Sequence, residues 1–150
     1  ILSSQKEYEE RKVKFIGNLY ANICTNTKIS REYANRLIRT TNDLSFRQFC
    51  ILQLIKEKKE ERDIFPEMRK LGNYIINEGD AIIEIRDLQQ KGLLKITARW
   101  NDIDDNSVPI KYKDISISDI GEQYCEMLSL EQLEKTDLDD TNTYIKIKVE

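Results

Sequence analysis

The chain has 150 residues, 39% of them hydrophobic and 34% charged, with a formal net charge of −3 and no histidine. That length fits one domain, or one domain with a helical extension, and can bury a real core without disulfide or metal staples. No apolar run approaches the ~20 residues that span a bilayer, no secretory leader pattern opens the sequence, and the absence of histidine removes Ser-His-Asp and Cys-His nucleophile pairs and every histidine-containing metal site.

From Gln5 to Cys24 the apolar residues Tyr8, Phe15, Ile16, Leu19, Tyr20, Ile23 and Cys24 recur three and four apart, which predicts an amphipathic helix. Lys6, Arg11, Lys12 and Lys14 lie near its start, and Asn26-Thr27 breaks it. A second helix is expected from Ser30, whose hydroxyl can cap it, with Tyr33, Ala34, Leu37 and Ile38 as its stripe. Thr40 to Asp43 reads as a short connection. A third helix begins near Ser45. Phe46, Phe49, Cys50, Ile51, Leu52, Leu54 and Ile55 cover most of its circumference, so it is expected at the centre of the fold.

Phe65-Pro66 suggests a short helix to about Leu71. Tyr74-Ile75-Ile76 is ambiguous between a strand and an extended link. Asp80 is the expected cap of a helix over Ala81–Lys91, with Gly92 as its left-handed terminator. Leu93 to Trp100 reads as a strand, 101–107 as a polar turn, and Val108 to Ile117 as holding a second strand. Ser118 is expected to cap a further helix with the stripe Ile120, Tyr124, Met127 and Leu128. Thr136 to Thr143 reads as a polar, mobile linker. Tyr144 to Val149 alternates with period two, which predicts a strand with Ile145, Ile147 and Val149 on one face, packed at home or exchanged between subunits.

The three cysteines, Cys24, Cys50 and Cys125, are odd in number, far apart and set among apolar neighbours. Buried reduced thiols and a cytoplasmic location are expected. Charge is asymmetric. Residues 1–60 carry 12 Lys/Arg against 7 Asp/Glu, a net +5, and residues 61–150 carry 12 against 20, a net −8. The second part repels a polyanion.

Three pieces carry a resemblance. "LSFRQFCILQLI" (Leu44–Ile55) looks like the first helix of a winged-helix core. "AIIEIRDLQQKGLLKI" (Ala81–Ile96) looks like its third helix and the step into the wing. "ISISDIGEQYCEML" (Ile115–Leu128) looks like the returning wing strand and the helix entered through a Ser/Thr-x-x-Gly step. Over Leu44–Leu130 the order resembles the winged-helix superfamily in an arrangement similar to bacterial MarR-type regulators. The resemblance implies a mainly α fold with a small antiparallel β wing. It divides the chain into an N-terminal helical extension (1–43), a winged-helix domain (44–135), and a polar linker with a terminal strand (136–150). In that family the flanking helices usually form a homodimer interface and the third core helix reads DNA.

Two features depart from that DNA-reading role. Helix Ala81–Lys91 offers Arg86 and Lys91 against Asp80, Glu84 and Asp87, and the wing turn carries Asp102, Asp104 and Asp105. Duplex affinity rests on neutralising phosphates, which such a surface opposes. Asp102-x-Asp104-x-Asn106 is similar in spacing to a calcium loop. Ser107 stands where the turn glycine belongs and Lys113 where the bidentate glutamate belongs, so a solvated wing tip fits better. Trp100 reads as a clamp at the wing root, or else as a contact anchor. No cofactor, metal or catalytic site is expected.

The expectation is therefore a non-enzymatic winged-helix module that mediates protein–protein interaction or dimerisation. The chain starts at Ile1, which reads as a piece of a larger cytoplasmic protein. The alternative is a DNA-binding regulator of MarR-like type. Candidate contacts to nucleic acid or an acidic partner are Lys12, Lys14, Arg31, Arg36, Arg39, Arg47, Arg86 and Lys91. Candidate interface residues are Phe15, Leu19, Ile145, Ile147 and Val149.

Overall fold

A computed structural model describes residues 2–59, 75–76, 79–97, 110 and 112–148. The fold is mainly helical. Among the described residues the helices are α1 (Leu2–Thr25), α2 (Arg31–Asp43), α3 (Phe46–Lys59), α4 (Asp80–Gln90), α5 (Asp119–Leu128) and α6 (Lys135–Ile145). Two short antiparallel ladders accompany them. β2 (Leu94–Ile96) pairs with β3 (Ile115–Ile117), with Lys95 opposite Ser116, and β1 (Ile75–Ile76) pairs with β4 (Lys146–Lys148).

Local chemistry sets the helix ends. Ser30 Oγ accepts from Tyr33 N at 3.1 Å and starts α2. Ser45 and Gln48 form a reciprocal capping box on α3: Ser45 Oγ accepts from Gln48 N at 3.1 Å, and Gln48 Oε1 accepts from Ser45 N at 2.9 Å. α4 ends in a paired turn. Leu93 N donates to Leu88 O at 3.0 Å and Gly92 N to Gln89 O at 2.9 Å, which requires Gly92 at φ 77°. Ser118 Oγ accepts from Gly121 N at 2.9 Å and donates to Gly92 O at 2.5 Å, so one hydroxyl caps α5 and ties it to the end of α4. Gly121 is obligatory there, because an added Cβ would lie 2.1 Å from Leu93 O.

α3 is the hub. It packs against α1, α4, α5, α6 and β3, and Phe46, Gln48 to Ile55 and Glu57 are buried. This matches the expectation from its all-round apolar pattern. α1 lies across α5 and α3 and inserts Phe15 and Leu19. Its docking is also polar: Asn22 Nδ2 donates to Met127 O at 2.8 Å and Asn18 Nδ2 to Leu128 O at 3.0 Å. These two amides satisfy carbonyls at the C-terminus of α5 that have no partner within the helix. Thr41 Oγ1 meets Tyr124 OH at 2.9 Å inside the core and joins α2 to α5. Lys58 Nζ donates to Tyr112 O and Ile115 O, each at 2.7 Å, and so holds the entry into β3.

Several expectations change. Thr40 to Asp43 is the last turn of α2 and no connection, because Thr41 is buried and bonded to Leu37 O and Tyr124. The segment expected as a polar linker from Thr136 to Thr143 lies within α6. Its polarity is outward only, and Asp137, Leu138, Thr141 and Ile145 are buried. Ile145 therefore ends a helix, and the terminal strand begins at Lys146. That strand pairs with β1 of its own chain, so Ile75-Ile76 is a strand and no extended link. Asp80 is the first residue of α4 and makes no side-chain cap; the cap position is Gly79. The expected helix to Leu71, Trp100 and the acidic turn at Asp102, Asp104 and Asp105 lie outside the described residues.

Candidate interaction surface

The cations expected to face a partner separate into two sets. Those on or beside the α1–α3–α6 junction are engaged within the chain. Lys12 is 4% exposed, and its Nζ donates to Asn42 O at 3.3 Å, at the negative end of α2. Burial lowers its pKa. The Arg47 guanidinium stacks 3.6 Å from the centre of the Tyr144 ring. Arg11 pairs with Asp137 and Glu7. At the C-cap of α4, Lys91 Nζ is 2.6 Å from Asp87 Oδ1. Lys14, Arg31, Arg36, Arg39 and Arg86 are exposed. Three of these, Arg31, Arg36 and Arg39, share α2.

The outward face of α4 carries Asp80, Ile83, Arg86 and Gln90, all exposed. Ile83, at its middle, is 66% exposed. The inward face is fixed by Ala81, Ile85 and Leu88 in the core and by Gln48 Nε2, which donates to Asp87 Oδ2 at 2.8 Å and to Glu84 O at 3.2 Å. The same Gln48 amide thus caps α3 through its oxygen and holds α4 through its nitrogen. α4 therefore sits in a fixed rotation, and its exposed face is one acid, one base, an amide and an isoleucine.

The expected interface residues are placed differently. Phe15 and Leu19 are 4% and 0% exposed and fill the chain's own core against α3 and α5. Ile145 is buried at the end of α6. Ile147 lies in β4 beside β1, and Val149 lies outside the described residues. Residues that the sequence pattern assigned inward are instead exposed: Tyr20 and Cys24 on α1 and Ile120 on α5. Helical spacing alone does not separate them, because Tyr20 and Cys24 continue the same broad apolar stripe. Phe15, Leu19 and Asn22 define one face of α1, and Val13, Tyr20 and Cys24 fall opposite it.

Burial pushes the Cys50 and Cys125 thiols up to about 12, so neither is a thiolate at neutral pH. No group of three or more Cys, Asp or Glu among the described residues is arranged to hold a metal ion. A cleft lined by Tyr8, Phe46, Arg47, Asp137, Asp140 and Thr141 has a volume of about 10 Å³, room for a water molecule. No described helix is long and apolar enough to cross a membrane.

Neither a protein-family model, nor a curated protein, nor a solved structure matches the chain.

Proposed function

We propose that the chain is a non-enzymatic, cytoplasmic winged-helix module that mediates protein–protein interaction or dimerisation. The order α3, α4, β2, β3, α5 supports the winged-helix reading, with β2–β3 as the root of the wing. One observation carries the functional reading. The helix that stands where a winged helix would read DNA presents a charge-balanced face with a two-thirds exposed isoleucine at its centre. Of its two cations, Lys91 is already paired with Asp87. Such a face gives little phosphate neutralisation and suits a protein surface.

The exposed arginines of α2 favour a second reading, a DNA-binding regulator of MarR-like type. Arg31, Arg36 and Arg39 would then supply the phosphate contacts. A titration of random-sequence duplex at low salt separates the two. Non-specific binders act at ~10⁻⁴ to 10⁻⁶ M even at physiological salt. The expected result is no retarded complex with micromolar protein. A retarded complex that weakens in the Arg36→Glu/Arg39→Glu variant would overturn the first reading in favour of the second.

A further inference from the structure

Two carboxylates less than one turn apart on α4 are served very differently. Asp87 accepts from Gln48 Nε2 at 2.8 Å and from Lys91 Nζ at 2.6 Å, so its charge is matched by donors on both oxygens. Glu84 lies half-buried three residues earlier, and its Oε2 is shut away from solvent with no hydrogen-bond partner. Tyr144 OH, near the end of α6, the helix packed beside α4, is buried and unpartnered as well. An oxygen left dry costs an ionised carboxylate far more than a neutral carboxyl. The charges around Glu84 do not make this up. On its own helix Asp80 stands four residues before it and Asp87 three after, both acidic. α3 supplies Arg47, whose guanidinium is stacked 3.6 Å from the centre of the Tyr144 ring. α6 supplies Tyr144 itself, and Lys95 on β2 is exposed. Burial raises the Glu84 pKa, Arg47 lowers it by less, and Asp80 and Asp87 raise it again.

We propose that Glu84 is a proton-operated latch on α4. With its carboxyl protonated, α4 lies fully seated against α3 and α6. Ionisation draws the carboxylate toward water and loosens α4 at that contact. The same helix carries Ile83 and Arg86 outward, so the latch governs how firmly that face is held. It acts within one chain, whatever that face contacts. A carboxyl whose pKa is higher in the folded chain than in the unfolded one stabilises the fold below its ordinary value of 4.5, and that contribution is lost as pH rises through the folded value. The seated state is therefore the acid one.

The test follows carboxyl and amide signals of the whole chain by NMR from acid to neutral pH, with Glu84→Gln identifying the Glu84 signal. Glu84 is expected to titrate above 4.5. Amides of α4, and of α6 near Tyr144, are expected to shift with the same midpoint in wild type and to lose that step in Glu84→Gln. In denaturant unfolding, Glu84→Gln is expected to be the more stable chain at neutral pH, with the gap closing as pH falls toward 4.5. Glu10→Gln removes an exposed carboxylate from α1 and should open no such gap. A Glu84 carboxyl that titrates at or below 4.5, α4 and α6 amides that stay still through its titration, or a Glu84→Gln chain no more stable than wild type at neutral pH would each overturn the latch.

Discussion

α3 and α1 are both long helices rich in apolar residues, yet the protein treats them oppositely. α3 is covered on every side, with ten of its fourteen residues buried, including the polar Gln48, Gln53 and Glu57. α1 is covered along one line only, where Lys12, Phe15 and Leu19 are buried, while Val13 and Tyr20 remain open. The difference shows where apolar surface serves the fold and where it is left over. A side chain in α3 is fixed by neighbours from five elements. On the outer line of α1 and at Ile83 on α4, the apolar side chains stay largely open to solvent.

Substitutions can break or sharpen that contrast. The largest effect is expected at the hub. Phe49→Ala removes a fully buried ring that meets Phe15 edge-on at a centroid distance of 6.2 Å, and should cost about 3–5 kcal/mol in denaturant unfolding. Next is Gly121→Ala, which drives a methyl group against Leu93 O and Ile117 Cγ1. A loss of about 1–3 kcal/mol is expected from the forced shift between α5 and the β2 entry. Tyr124→Phe leaves the ring and deletes the bond to Thr41, and should cost about 1 kcal/mol. Ile83→Ser and Tyr20→Ser lie at the other extreme and should change monomer stability by no more than about 0.5 kcal/mol. A loss at Ile83 or Tyr20 comparable to that at Phe49 would erase the distinction between the two kinds of surface.

Thiol chemistry reads the same contrast without mutation. Cys24 sits exposed near the end of α1, whereas Cys50 and Cys125 lie in the core with thiols pushed up to about 12 by burial. Maleimide at neutral pH should modify Cys24 alone in the native protein, and all three cysteines once denaturant is added. Modification of Cys50 or Cys125 at the rate of Cys24 would place those residues outside the core.

Much of the fold was legible because its signals are local. The Ser30 cap, the Ser45 start, the Gly92 stop and the Ser118-x-x-Gly121 step are each visible in a few residues. The all-round apolar pattern of Phe46 to Ile55 announces a helix packed on all sides. The misread segments are those where a distant partner decides the outcome. Thr40 to Asp43 looks like a turn until Thr41 meets Tyr124. Thr136 to Thr143 looks like a linker until Asp137 meets Arg11 and Leu138 enters the core. The surface was less legible than the core. Apolar spacing says that α1 has a buried line, but Tyr20 and Cys24 satisfy a helical stripe nearly as well as Phe15 and Leu19 do. Only the position of α5 and its carbonyls, met by Asn18 and Asn22, selects between them. Likewise, composition could not tell that Lys12, Arg47 and Lys91 are committed within the chain.

Hydrogen exchange on the whole chain tests most directly whether α3 is covered on every side and α1 along one line only. Amides of α3 should be among the slowest to exchange. Those of α1 between Glu9 and Cys24 should exchange faster, because a helix held on one side only opens at lower cost. Equal protection in α1 and α3 would contradict the account.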